Sequence, residues 1–407
     1  MNKNDAISGR GLLIWIIVLM LPACGGGGGS DAPPPPPPQP PIEYIYEQPA
    51  DLGDGWSIQH ATDASLDVPR LEAMMNDIRA GQFPYVDSIA ISKGGFLVFD
   101  ETIRTSTDDR DDLVGNSDPS VHAQFSITKS VTSLLVGVAI DEGYIENVDV
   151  PYLNLFPYAD YDNWDERKND ITLHHVLAMQ LGLEWNEFDP DYTSPDNQLN
   201  RFYREEFDFS KALLDLPIVA EPGTQFAYNT AATVSLGQAV ENAAPMTLTD
   251  FGLNELMLPM SITRIEFLRT PTELLNGGSG LYARTRDVAK FGQLLLDGGT
   301  WNGERIVSED WIAESLVPRT EVGWEDPENW DWQLEGYGYQ WWLGHYEVDG
   351  TQIPTWVGWG FGGQFLVAIP SLDLVIVVNS DGYDGSDTAV NDPHALIRNY
   401  VLPAAGL

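Results

Sequence analysis

The chain has 407 residues, 43% of them apolar and 11% aromatic, enough to bury one large core or two smaller ones and too hydrophobic for a disordered polymer. Its 61 acidic residues face 21 basic ones, a formal net charge of -40, and that sign of surface excludes nucleic acid as a partner and disfavours anionic lipid head groups. The single cysteine, Cys24, excludes an intrachain disulfide.

From the N-terminus, Lys3 and Arg10 precede "GLLIWIIVLMLPAC". A basic start and a short apolar run have the proportions of a signal peptide and fall short of a comfortable membrane-spanning helix. Leu21–Cys24 resembles a bacterial lipobox, with Pro22 a departure from it. The resemblance implies that residues 1–23 are removed and that the Cys24 sulfur carries lipid. Gly25 is not the aspartate linked to inner-membrane retention, so the expectation is an exported protein anchored by lipid at the outer membrane, facing periplasm or exterior. Residues 24–50 open with "GGGGGSDAPPPPPPQPP", read as a linker: flexible at the glycines, extended at the prolines. A single folded domain is expected over residues 51–407.

Regular structure is expected from near Ile58. "DVPRLEAMMNDIRAG" predicts a helix ended by Gly81. "SIAISKGGFLVFDE" predicts a hairpin turning at Gly94–Gly95. After Ser126 the pattern is mostly helical and includes "DITLHHVLAMQLGLEW" and "TRDVAKFGQLLLDGG". From Tyr337 the period returns towards two, with turns at Asp349–Gly350 and Pro370–Ser371, and a last helix is expected over roughly Asp387–Tyr400. Strands near both ends and helices between predict an α+β fold: an antiparallel sheet built from both chain ends and flanked by helices, with a mainly helical region inserted.

Three stretches carry chemistry. In "HAQFSITKSVTSLLVGVAID", Ser126 and Lys129 lie three apart, on one face of a helix whose N-terminal N–H groups suit an alkoxide or oxyanion. The apolar run that follows keeps water from Lys129 and lowers its pKa, so that a neutral amine can activate the serine hydroxyl. In "EPGTQFAYNTAATVSLG", Tyr228 opens another helix and offers a phenol that can shuttle a proton. In "GWGFGGQFLVAIPSLDLVIVV", glycines at the head of a strand let its backbone approach a ligand, and an N–H there can join that of Ser126 to hold an oxyanion. His174 and His175 are adjacent, without a zinc-binding spacing, and are read as helix residues. No G-x-S-x-G elbow and no Walker loop occurs. Trp324, Trp330, Trp332, Tyr337, Tyr339, Trp341 and Trp342 form an aromatic group read as packing. Trp185 and Tyr192 follow a helix on a loop and are candidates for substrate contact.

In "FSITKS", "YNT" at Tyr228–Thr230 and "GWG" at Gly358–Gly360, the chain resembles the serine β-lactamase-related superfamily in its class C-like branch. That branch includes penicillin-binding carboxypeptidases, β-lactamase-fold esterases and 6-aminohexanoate-dimer hydrolases. The resemblance implies a β-lactamase/transpeptidase-like fold, needing no cofactor and no metal. Ser126 becomes the acylated nucleophile, Lys129 the base or its partner and Tyr228 the proton relay, with the N–H groups of Ser126 and Phe361 as oxyanion hole. Thr230 stands where the pattern has asparagine, and Gly358 where it has a cation; only Gly360 of the third motif is kept. Trp359 is expected to give the cleft an apolar wall. The implied activity is hydrolysis of an ester or amide of a small molecule or peptide, ahead of β-lactams. The alternative is a catalytically silent protein that binds cell-wall peptide or a partner on the same scaffold. Substrate identity and oligomeric state are not legible.

Overall fold

The alternating run after Val86 forms the predicted hairpin, Val86–Lys93 against Phe96–Thr102, and Gly94 and Gly95 make its turn at φ 61° and 78°. The computed structural model describes residues 43–192, 194–205, 207–322, 331–383 and 387–407. Cys24, the signal segment and the linker as far as Ile42 lie outside the described residues, as do Trp324 and Trp330.

Among the described residues an eight-stranded sheet runs in the order Ser57–Ile58, Phe96–Thr102, Val86–Lys93, Leu374–Ser380, Gln364–Ile369, Thr351–Gly360, Trp342–Val348, Trp332–Tyr337. Strands from the two ends of the fold therefore meet at its centre, where Val86–Lys93 pairs with Leu374–Ser380. Pairing is antiparallel except at one edge, where Ser57–Ile58 runs parallel to Phe96–Leu97.

The central strands are apolar on both faces, the pattern of a sheet covered on both sides. On Leu374–Ser380, the residues Leu374, Ile376 and Val378 enter one core, and Val375 and Val377 enter the other. The first core is closed by the helix Val68–Arg79 and by the C-terminal helical turns, the second by the helix Thr285–Leu296 and the inserted region. The last helix is Asp387–Leu396, and it continues as a wider turn over Ile397–Val401.

Three expectations change. The folded unit begins at Glu43, inside the stretch read as linker. Tyr44 and Tyr46 there are buried, and the Tyr46 hydroxyl donates to the Val98 carbonyl at 2.7 Å. The "DITLHHVLAMQLGLEW" stretch is helical only over Leu173–Leu177, because Met179 turns left-handed at φ 59°. The inserted region also holds a small sheet of Val121–Ala123, Leu281–Arg284 and Ile265–Phe267. Of the described aromatic group, Trp332, Tyr337, Tyr339, Trp341 and Trp342 are all buried.

Candidate active site

Ser126 stands at a sharp bend between the short strand Val121–Ala123 and the helix Ile127–Asp141. The bend is made by Phe125, whose φ of 45° places a bulky residue in the left-handed region, a conformation that costs roughly 1–2 kcal/mol. Its surroundings hold it there. The Thr128 N–H donates to the Phe125 carbonyl at 2.9 Å, and the buried Gln124 side chain accepts from Asn379 at 3.1 Å. From Ile127 to Ala139 every residue of the following helix is buried, as expected of a helix apolar all round.

That burial includes Lys129, which is 1% exposed. Its Nζ lies 2.9 Å from Ser126 Oγ and 2.8 Å from the Gly278 carbonyl. Desolvation pushes its pKa down to about 8, against the opposing pull of the Glu187 charge. Gly278 belongs to the "GGSG" loop, and a β-carbon there would sit 2.8 Å from the Thr230 carbonyl, so glycine lets the loop pack against Thr230 while its own carbonyl meets the lysine.

Tyr228 precedes the helix Thr230–Ala243, which Asn229 caps by accepting from the Ala232 N–H at 2.8 Å. Phe188 and Trp342 stack on its ring, with centroids 5.7 and 5.4 Å away. The Tyr228 hydroxyl hydrogen-bonds Ser126, and Lys129 Nζ lies 4.9 Å from the ring centroid. Burial first, and then the Glu187 charge, raise the phenol pKa, so the hydroxyl keeps its proton.

The strand Thr351–Gly360 ends beside this bend. A β-carbon on Gly360 would lie 2.3 Å from the Gln124 carbonyl, so the glycine allows the contact that sets Phe361 next to Ser126. Among the described residues, the N–H groups of Ser126 and Phe361 donate to no acceptor. Both residues line a cleft of about 370 Å³ that Phe125, Tyr192, Thr230 and Tyr383 also line.

The other expected site residues divide. Tyr192 faces the cleft, and its hydroxyl donates to Glu187 at 2.8 Å. Trp185 does not line the cleft: it is buried, packs edge-on against Phe202 and donates to Glu187 at 3.1 Å. Gly358 faces the helix Ile127–Asp141 at Ile127 and Ser130. Trp359 is no cleft wall. Strand alternation turns it to the other face of the sheet, where it packs on Phe365 and Trp342, the ring that stacks on Tyr228.

Glu187, Arg110, Tyr203 and Ser279 were not expected in the site. Glu187 is 2% exposed and accepts from Tyr192, Trp185, the Thr230 N–H at 2.6 Å and the Thr230 hydroxyl. It sits at the N-terminus of the Thr230–Ala243 helix, where a carboxylate is favoured. Both the N–H and the hydroxyl of Thr230 are thus engaged by Glu187. His174 and His175 serve packing and capping: His174 bonds Tyr339 at 2.6 Å, and His175 closes a capping box on Thr172. No group of metal-ligating side chains occurs among the described residues.

A buried lysine touching a serine at the head of a helix, with a tyrosine hydroxyl on the same serine, all beside a mixed sheet, defines the Ser-x-x-Lys class of active-site fold. The family model described as Beta-lactamase matches residues 84–399, and the chain belongs to that family. It is similar to the 6-aminohexanoate-dimer hydrolase of Paenarthrobacter ureafaciens, 27% identical over 274 residues, which are 63% of this chain and 65% of that one. Solved structures share the fold. The octameric penicillin-binding protein homologue from Pyrococcus abyssi has a TM-score of 0.62 at 19% identity, over 83% of this chain and 78% of that one. A hydrolase with promiscuous acyltransferase activity has a TM-score of 0.62 at 14% identity, over 83% of this chain and 99% of that one.

Proposed function

We propose that the chain is a serine hydrolase that opens an ester or amide bond through an acyl intermediate on Ser126. The observation that carries this reading is the Lys129 amine, buried and 2.9 Å from Ser126 Oγ at the wall of an open cleft. In the neutral form Lys129 takes the hydroxyl proton as Oγ bonds to the carbonyl carbon. The resulting oxyanion is held by the N–H groups of Ser126 and Phe361. On collapse the bond to the leaving group breaks. Tyr228 gives that group its proton and is refilled from Lys129. Water repeats the sequence and frees Ser126. The relatives that act on an amide dimer or as a hydrolase support this class of reaction.

The proposal extends to the N-terminus: Leu21–Cys24 favours export and lipid attachment at Cys24, with an outer-membrane address. Palmitate labelling of the full chain, lost in Cys24→Ala, is the expected result there.

The site is tested with a fluorophosphonate probe and a labelled penicillin, followed by peptide mapping. Fluorophosphonate on Ser126, with hydrolysis of 4-nitrophenyl esters lost in Ser126→Ala, is expected. No covalent label from either probe would instead make the protein a silent binder of cell-wall peptide or of a partner.

A further inference from the structure

The hydrogen-bonding groups of the cleft are largely spent on the protein itself. Tyr192 and Thr230 donate to Glu187. The Asn200 amide donates to the Tyr192 carbonyl at 2.7 Å, and the Tyr203 hydroxyl lies 3.2 Å from Asn276 and 3.1 Å from Ser279. Arg110 is different. It lines the same cleft as Ser126, with its guanidinium 3.9 Å above the Tyr383 ring and 5.4 Å from that of Phe125. Among the described residues that guanidinium takes no hydrogen bond and no ion pair.

Its neighbours sharpen the contrast. Arg104, on the same loop, is paired with Asp111 at 3.0 Å and Asp108 at 3.9 Å. Asp108 also accepts from the Arg110 backbone N–H at 2.7 Å, so the nearby acids are engaged elsewhere. On a chain with 61 acidic residues, a guanidinium that no carboxylate has taken, in the same cleft as Ser126, is suited to receive an anion. The Tyr383 and Phe125 rings hold the guanidinium by cation–π contact, and its uncommitted donors are of the kind that grip a carboxylate bidentately. The net charge of -40 does not forbid this. Surface fields fade over about 8 Å at physiological salt, whereas the grip is direct.

We infer that Arg110 is the anion-recognition group of the cleft, and that the substrate is an ester or amide bearing a carboxylate on its acyl or its leaving part. The inference rests on the hydrolase reading for the bond that is broken, but not for the binding of the anion. It supplies, from a loop before the nucleophile, the cation that Gly358 does not.

Two matched pairs of esters test it. 4-Nitrophenyl hemiglutarate and the corresponding glutaramate place the charge on the acyl side. 4-Acetoxybenzoate and 4-acetoxybenzamide place it on the leaving side. The ratio of kcat/KM, charged over neutral, is expected to fall about 10- to 100-fold in Arg110→Gln for one pair, to recover in part in Arg110→Lys, and to weaken with salt. Ratios unchanged in both pairs would overturn the inference while leaving hydrolysis intact. Binding of glutarate itself to Ser126→Ala, with and without Arg110→Gln, gives a readout free of turnover. A Kd that rises tenfold or more without the guanidinium supports the inference, even were no ester cleaved, in which case the hydrolase reading alone would fall. An equal Kd would sink it.

Discussion

Lys129 and Glu187 divide the electrostatics of the site. Burial draws the lysine pKa down to about 8, and the carboxylate opposes that fall. In the proposed mechanism the neutral amine accepts the Ser126 proton, so kcat/KM is expected to rise with pH along a limb centred near 8. Glu187→Gln removes the opposing charge, so the limb moves to lower pH. The same change weakens the anchor of the Thr230–Ala243 helix, with a stability loss of about 1–3 kcal/mol. A pH–rate profile alongside urea unfolding separates the two effects; a limb that stays in place would show that Glu187 acts only as a strut. Ser126, Lys129 and Tyr228 were legible because spacing and an apolar run are local signals. Glu187 was not, because nothing in a strongly acidic sequence marks one carboxylate as buried. Strand parity puts Trp359 with Val357, on the face away from Ser126, a relation that the flanking glycines obscure in the sequence.

At the level of elements, the bend at Phe125 and the end of the strand Thr351–Gly360 are one joint. Gly360→Ala would force a methyl group into the Gln124 carbonyl, where an ideal β-carbon lies at 2.3 Å. The expected result is a destabilisation of about 1–3 kcal/mol and a larger loss of fluorophosphonate labelling rate, since the Phe361 N–H is displaced with the strand. Gly252→Ala makes the comparison, because that glycine, like Gly360, lies outside the left-handed region, but its β-carbon would meet only the Leu135 side chain, at 3.6 Å. Equal labelling rates in the two variants would show that the contact is not needed. The hairpin at Gly94–Gly95 and the helix Thr285–Leu296 could be read because their periods run unbroken between clear stops. The segment after Leu173 could not. Its apolar residues follow helical spacing, but Met179 turns left-handed and sends them into a core that several elements share.

On the scale of the whole molecule, the sheet joins residues far apart in sequence, and its first contributions come from earlier than composition suggested. Tyr44 donates from its backbone to Asn76 at 2.7 Å, and the Tyr46 hydroxyl also accepts from the Ala61 N–H at 3.0 Å. A chain starting at residue 51 is therefore expected to melt several degrees below one starting at residue 43, by differential scanning calorimetry; equal melting temperatures would show that this segment adds nothing. The proline-rich composition before it hid the transition, because two tyrosines among polar residues carry no period.

The pairing of Val86–Lys93 with Leu374–Ser380 has a consequence for the protein while it is being made. A growing polypeptide possesses Ser126 and Lys129 long before it possesses Phe361 or the strand that locks the two ends together. On the proposed mechanism, a half-synthesised chain lacks the Phe361 oxyanion donor, so Ser126 is expected to stay idle until nearly all of the molecule has left the ribosome.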